Sequence, residues 1–256
     1  MQLDSQPDPA ASPISADPVP PKSNLIAPVW HTVMIVAVVL GNSLIGSSKM
    51  STVTSPKARI ILYSGTFIFE LLVVVLIWFW IRRSGVSMGD LIGGRWESVE
   101  SFLLDVALAI GFLVVASIVL VGVRVALGTL DLHHMDKQLE ETKRMLGPLI
   151  PRSTLEAALF VLLSVAAGLF EEIIFRGYLQ RQIGAIAGNA YVGIVVSAAI
   201  FGAGHGYQGG RMMVAIGVFG TMFGLLAHFR KSLRPGMMAH ASQDAYAGLA
   251  LFFLAR

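Results

Sequence analysis

Hydrophobic residues divide this chain into long apolar runs separated by short polar segments. The runs lie at about 25–46, 60–81, 101–127, 154–181, 189–207, 211–229 and 235–255. Each is close to the ~20 residues with which an α-helix crosses the hydrocarbon core of a membrane. They are too long for barrel strands, and a backbone in lipid must satisfy its own hydrogen bonds. The pattern therefore predicts an all-α fold, a polytopic transmembrane helical bundle of about seven spans, with six to eight as the range.

Composition supports a membrane protein and removes several other classes. Of the 256 residues, 55% are hydrophobic and 14% are charged, against about 25% charged residues in a soluble domain. We therefore expect an integral, multi-pass protein of the inner or plasma membrane if the source is prokaryotic, with membrane lipid as a partner. The net charge of +3 comes from basic residues that flank the apolar runs, which indicates membrane contact and no nucleic acid. The absence of cysteine excludes disulfides, thiolate metal sites and a cysteine nucleophile.

Three regions follow from this pattern. Residues 1–24 form a Pro-rich segment that we expect to be a disordered tail, because it lacks the basic start and apolar core of a secretory signal. Residues 25–150 are predicted to hold N-terminal transmembrane helices and a polar connector, TLDLHHMDKQLEETKRMLGPLIP, whose charge spacing suits a short solvent-facing helix. Residues 151–256 form a second helical region. It begins near STLE, where Ser153 and Glu156 have the spacing of a capping box, so Glu156 has a structural explanation.

The stretch GLFEEIIFRGYLQ brings three charges into a predicted span. Ionisable residues within a span are costly and mark functional sites by default. Glu172 and Arg176 are four residues apart, so they share a helix face and are predicted to form an ion pair. Glu171 lies about 100° around the helix from its neighbour and has no partner in its own helix. The alternative is that both glutamates only hold helices together through buried hydrogen bonds.

Two later spans supply further ionisable side chains. FGAGH contains His205 in a glycine-rich segment, and HASQD contains His240 and Asp244 one turn apart on a shared face. Together with Glu171 these residues supply what amide hydrolysis needs, a base for water and groups that stabilise an oxyanion. A simple hairpin count puts His205 and His240 near opposite membrane sides. Convergence then requires helices of unequal length or an early break around residues 202–210.

Other candidates receive structural explanations. GVSMG formally matches a nucleophile pattern at Ser87, but the segment is a short loop between spans and not the strand-to-helix turn that this chemistry needs. Glu70, near the middle of the second span, either lines the same cavity or makes a buried hydrogen bond, which is the favoured account. His228 lies beside two basic residues, where an interfacial role suffices.

The three motifs EEIIFR, FGAGH and HASQD resemble EExxxR, FxxxH and Hxxx(N/D) of the CAAX prenyl protease and bacteriocin-processing family of intramembrane proteases. They occur in the family's order, over about residues 155–254. The resemblance implies a catalytic helical domain at 151–256 and an intramembrane endopeptidase that acts on a peptide, a prenylated protein or another membrane protein. It implies that Glu171 activates the attacking water, that His205 helps to hold it, and that Glu172 and Arg176 brace the site.

The third motif departs from the family's type member, which has Asn where this chain has Asp244. In that member the Asn and its His are proposed to stabilise the oxyanion, and an ionised Asp cannot donate a hydrogen bond. Asp244 must be protonated, orient His240, or help to bind a metal. A divalent metal such as zinc, held by Glu171, His205 and His240, is chemically feasible, although the family resemblance favours a water activated without an obligatory metal.

Two other classes of function use the same residues. The intramembrane acids and histidines are also typical of the polar path of a transporter or proton-coupled channel. A membrane scaffold without catalysis is the third alternative.

Overall fold

The computed structural model describes residues 25–130 and 134–254, and within these ranges the chain is helical without strands. This confirms the predicted all-α class. The predicted tail at 1–24 lies outside the described residues. The helices are α1 (Val29–Lys49), α2 (Pro56–Ile81), α3 (Met88–Ile92), α4 (Val99–Ala126), α5 (Met135–Leu146), α6 (Thr154–Glu171), α7 (Gln180–Ala187), α8 (Ala190–Gly204), α9 (Gly210–Arg230) and α10 (Arg234–Leu254). A π-helical segment, Glu172–Leu179, joins α6 to α7 without a break in the helical path.

The predicted spans all fall on these helices. Among the described residues, five helical stretches are long and apolar enough to cross a membrane, namely Val29–Ser48, Pro56–Ser84, Val99–Ala126, Thr154–Ala187 and Gly210–Arg230. The two remaining predicted spans correspond to α8, a shorter apolar helix of 15 residues, and to α10, whose apolar run is interrupted by ionisable residues. The protein is therefore an integral, multi-pass membrane protein.

The polar segments between the spans have structural roles. The predicted solvent-facing helix of the connector is present as α5. Ser87 is the N-cap of α3, where its hydroxyl accepts from the Asp90 N–H while its own N–H donates to the Asp90 carboxylate. Hydrogen bonds from the Ser87 backbone and hydroxyl hold the pKa of the exposed Asp90 carboxyl below its ordinary value. Ser87 is thus committed to a capping box.

The capping box predicted at the start of α6 is only half formed. Ser153 accepts a hydrogen bond of 3.2 Å from the Glu156 N–H. The Glu156 carboxylate, however, accepts from Arg59 of α2 at 2.8 and 3.2 Å and from the Arg152 N–H at 2.8 Å. A buried guanidinium is a stronger partner for a carboxylate than a backbone N–H. Glu156 therefore ties α6 to α2, which confirms a structural role by a different contact.

The C-terminal helices pack with one another and are surrounded by helices from the N-terminal half. α6 packs against α10 and α2, α8 packs against α7, α9 and α1, and α4 lies against α9 and α10. Close helix contacts rely on glycine. A Cβ atom on Gly168 of α6 would lie 2.6 Å from the Ala241 nitrogen and 2.9 Å from its Cα in α10. Small residues let helix backbones approach in this way within a membrane.

We predict that Gly168→Ala destabilises the protein, because its methyl group meets backbone atoms that cannot move aside cheaply. Overpacking of this kind costs about 1–3 kcal/mol. Gly111→Ala is the matched control, since Gly111 is also a helical glycine of a span but has no atom within 4 Å of an added Cβ. Thermal unfolding in one detergent should show a lower Tm for Gly168→Ala and an equal or higher Tm for Gly111→Ala. Equal Tm values for both variants would refute the close α6–α10 contact.

Candidate active site

The central element of the candidate site is the π-helical segment that begins at Glu172, directly after the last residue of α6, Glu171. All eight of its residues are buried. A π-helical stretch widens the helix and is often found at functional sites, because it changes the directions of the side chains around it. Here it carries the charged residues of the first motif into the interior of the bundle.

Glu172 and Arg176 form the ion pair that their spacing predicts. The Arg176 Nη1 donates to the Glu172 Oε1 at 2.9 Å, and both side chains are almost fully buried. Arg176 also donates from Nη2 to the Gly220 carbonyl of α9 at 3.2 Å. Its guanidinium carbon lies 4.4 Å from the ring centre of Phe201 and 5.0 Å from that of Phe223. A buried charge needs such partners, and this pair therefore joins the first motif to α8 and α9.

His240 of α10 is the residue at which the acidic side chains meet. Its Nδ1 lies 3.2 Å from the Glu172 Oε1. Its Nε2 lies 3.5 Å from the Glu171 Oε2 and 3.7 Å from the Asp244 Oδ2. Glu171 lacks a partner in its own helix, as its position in the motif predicts, but it has one in α10. The two adjacent glutamates thus contact opposite nitrogens of one imidazole instead of facing unrelated surroundings.

The Glu172 contact also locates one proton of the His240 ring. Glu172 is paired with Arg176 and accepts hydrogen bonds only, so the proton of this contact belongs to the His240 Nδ1. The open side of the cluster is at the opposite nitrogen, because the Glu171 and Asp244 side chains are 17% and 38% exposed. His240 Nε2 therefore faces the part of the cluster that a small molecule or peptide can reach.

His205 enters the same region because α8 is short. The helix ends at Gly204, so His205 lies about 22 Å along it, less than the thickness of the hydrocarbon core. The Gly206–Gln208 turn follows. Unequal helix length and a break in the glycine-rich run together remove the conflict in the hairpin count. The His205 Nδ1 lies 2.9 Å from the Phe201 carbonyl, and the Phe201 ring is 4.7 Å from His205 and 6.0 Å from His240 between ring centres.

Two residues extend the cluster beyond the three motifs. Glu70 of α2 is buried and lies close enough to Glu171, His240 and Asp244 for their charges to interact. Its Oε2 has no hydrogen-bond partner among the described residues, so the favoured buried hydrogen bond is not found at this oxygen. Its intramembrane position was the only sequence signal that singled it out.

Tyr207, in the turn between α8 and α9, is the residue that the sequence did not indicate. Its ring centre lies 6.0 Å from that of His205, and Glu171, Asp244 and Glu70 act on its hydroxyl electrostatically. The hydroxyl accepts a hydrogen bond of 3.0 Å from the Gln208 side chain. Its only sequence signal is its position two residues after His205.

The donors are not arranged as a ready-made metal site. In the described part of the chain, no group of three or more His, Cys, Asp or Glu side chains has the arrangement that could hold a metal ion. Both ring nitrogens of His240 face carboxylates, and the His205 Nδ1 faces a backbone carbonyl. The zinc hypothesis stays a prediction, and no chemical step below depends on it.

Comparison with known proteins supports the family resemblance that the three motifs indicate. No curated protein and no solved structure gives a match. A protein-family model described as Type II CAAX prenyl endopeptidase Rce1-like matches residues 153–246, a segment that contains all three motifs. Residues 153–246 are therefore similar to the Rce1-like, type II CAAX prenyl endopeptidase family.

Proposed function

We propose that the protein is an intramembrane endopeptidase in which Glu171 activates a water molecule for attack on a peptide bond. One observation carries this proposal: a partly exposed carboxylate lies 3.5 Å from the Nε2 of a histidine whose other nitrogen is held by a buried ion pair. Amide hydrolysis requires a base that activates water and a hydrogen-bond donor that stabilises the oxyanion, and both must face the same carbonyl group. The match to a protease family supports the same chemistry.

The proposed reaction begins when the Glu171 carboxylate takes a proton from water as the water oxygen bonds to the carbonyl carbon. The carbonyl π electrons move to oxygen and form a tetrahedral oxyanion. Glu171 then gives its proton to the amide nitrogen, the C–N bond breaks, and the products are a carboxyl group and an amine. His205 helps to hold the water, as the family resemblance implies.

His240 is the proposed donor to the oxyanion. Two carboxylates face its Nε2, at 3.5 and 3.7 Å, and this arrangement favours a second proton on that nitrogen, so that the ring is an imidazolium. Glu172 accepts from Nδ1 and so fixes the direction in which Nε2 points. Asp244 is too far from Nε2 for a hydrogen bond at 3.7 Å. We therefore assign Asp244 the role of a counter-charge that keeps His240 in its donor form.

The substrate class follows from the surroundings of the site. The open side of the cluster lies within a bundle of membrane-spanning helices, so the scissile bond has to reach the site from a segment at or inside the membrane. A prenylated protein C-terminus and a segment of a membrane protein both satisfy this requirement. The family match favours the prenylated substrate.

We predict that Glu171→Gln and His205→Ala reduce the cleavage of a membrane-anchored peptide. Loss of the general base should lower kcat by about 10²- to 10⁴-fold, because Gln keeps the size of Glu but cannot take a proton from water. Ser87→Ala is the control and should retain full activity, since the Ser87 hydroxyl only caps α3. The measurement is cleavage by purified protein in liposomes.

Full activity in Glu171→Gln would contradict the proposed base. The same liposomes distinguish the transporter alternative, because a proton-coupled carrier would acidify or alkalinise the lumen without cleaving the peptide. Proton flux that Glu171→Gln abolishes, with no hydrolysis in the wild type, would replace the protease proposal with the transporter.

Because Arg176 is proposed to brace the site and not to take part in the reaction, its replacement should lower the stability of the protein. Arg176→Met leaves the Glu172 carboxylate buried without its cation, which costs about 3–5 kcal/mol when one member of a buried pair is removed. Glu171→Gln removes only one of the three carboxylates around His240, and that carboxylate is partly exposed. Thermal unfolding should therefore show a large fall in Tm for Arg176→Met and a small change for Glu171→Gln. A fall of equal size in both would contradict the division between bracing and chemistry.

Metal removal provides a separate test. The proposed reaction assigns every proton transfer to side chains of this chain, so we expect cleavage to survive dialysis against a strong chelator such as EDTA. Activity measured before and after dialysis, with zinc re-added as the control, checks this expectation. Loss of activity that zinc restores would favour the metal route through Glu171, His205 and His240.

A further inference from the structure

A second polar site also has Arg176 among its lining residues. A cavity of about 310 Å³ opens between α7, the end of α9 and the turn into α10. It is lined by Arg176, Gln180, Arg181, Ala227, His228, Lys231 and Leu233. Helix α7 begins here and α9 ends here, so the cavity lies at the end of the membrane-spanning stretch Gly210–Arg230. None of the residues to which we assign chemistry lines it.

The lining of this cavity is basic and contains no carboxylate. Arg181 donates from Nη1 and Nη2 to the backbone carbonyls of Asp90 and Leu91, at 2.8 Å each. These acceptors are uncharged, and the nearby Asp90 carboxylate is hydrogen-bonded to Ser87. No ion pair to a carboxylate is found for Arg181 or Lys231 among residues 25–130 and 134–254. The cavity is thus lined by basic side chains, while the Asp90 carboxylate that acts electrostatically on Arg181 lies outside its lining.

Lys231 occupies a backbone conformation that favours glycine. Its φ of 56° and ψ of 27° lie in the left-handed region, and it is the one non-glycine residue with positive φ in the described part of the chain. Glycine is the usual residue at this position after a helix, because a Cβ atom is strained there. Lys231 thus has a strained backbone conformation while its side chain lines the cavity.

An exposed apolar rim lies beside the basic lining. The His228 ring lies 5.6 Å from Tyr191 and 5.2 Å from Phe229 between ring centres. Tyr191 is 56% exposed and Phe229 is 68% exposed, as is 47% of Ile186 on α7. Aromatic residues of this kind are enriched where membrane proteins meet the headgroup region. Anion-binding groups and lipid-facing groups are therefore adjacent.

We propose that this cavity binds a phosphate-bearing anion, and that the anion is the headgroup phosphate of an acidic phospholipid. Arg181 and Lys231 would face the phosphate oxygens, with guanidinium and ammonium groups that suit phosphate. The acyl chains would lie along Tyr191 and Phe229. The proposal is independent of the protease proposal, because Arg181 and Lys231 have no role in the proposed reaction and the event is binding.

The test is phosphatidylglycerol binding by the full chain, purified without lipid in a neutral detergent and followed by native mass spectrometry. We expect the wild type to bind phosphatidylglycerol more tightly than phosphatidylcholine. Lys231→Gly should weaken phosphatidylglycerol binding by about fivefold, the usual contribution of one basic residue to an acidic lipid surface. Glycine relieves the backbone strain, so this variant should unfold at an equal or higher temperature and a loss of binding cannot come from misfolding.

Lys57→Ala is the matched control, because Lys57 is an exposed lysine at the opposite end of α2 from the cavity. It should bind phosphatidylglycerol as the wild type does. Inorganic phosphate distinguishes the source of the anion. Displacement of the lipid by millimolar phosphate supports a site for phosphate in general, and resistance to displacement supports a lipid site held partly by its acyl chains.

The proposal is overturned if Lys231→Gly binds phosphatidylglycerol as tightly as the wild type. It is also overturned if phosphatidylglycerol and phosphatidylcholine bind equally. Neither outcome bears on the protease proposal, and the cleavage result for Glu171→Gln does not bear on the lipid-binding proposal.

Discussion

The buried ion pair between Glu172 and Arg176 is the interaction on which the rest of the site depends. Both side chains are withdrawn from solvent within a membrane-spanning segment, where an unpaired charge is expensive. Arg176 donates both to the Glu172 carboxylate and to the Gly220 carbonyl of α9. It therefore constrains where the π-helical segment and α9 can lie. The same carboxylate oxygen also contacts the His240 Nδ1, so the constraint extends to α10.

Close helix packing makes this arrangement possible. Gly168 lets α6 approach Ala241 of α10, and a Cβ atom on Gly236 would lie 3.2 Å from the Glu172 Oε2. Larger side chains at either position would push α10 away from the π-helical segment and so separate His240 from the two glutamates. Small residues thus act as positioning elements for the chemistry, although none of them takes part in it.

Arg176 connects the two polar regions of the protein. Its guanidinium pairs with Glu172 on the side of the candidate active site, and its side chain also lines the basic cavity near the ends of α7 and α9. One residue therefore separates a cluster of acids around His240 from a cluster of bases around Lys231. The Arg176 guanidinium itself lies between the rings of Phe201 and Phe223, at 4.4 and 5.0 Å from their centres.

The sequence by itself determined those features that depend on local spacing. The apolar runs predicted the spanning helices, the i,i+4 spacing predicted the pair of Glu172 with Arg176, and three ordered motifs indicated the family later matched at 153–246. These predictions succeed because the helical period and the length of a span can be read from residues that are close together in the chain.

Only the tertiary structure decided which helices bring their side chains together. Helical spacing separates Glu171 from Glu172, but both meet His240 because a π-helical segment begins between them and α10 packs closely. The short α8 brings His205 into the same region, and Glu70 joins from a helix outside the motifs. Likewise, the partner of Glu156 is Arg59 of another helix and not the cap of its own. Such contacts depend on helix lengths, on close approach at glycine and on the need to pair buried charges across helices, and none of these is visible in the spacing of one segment.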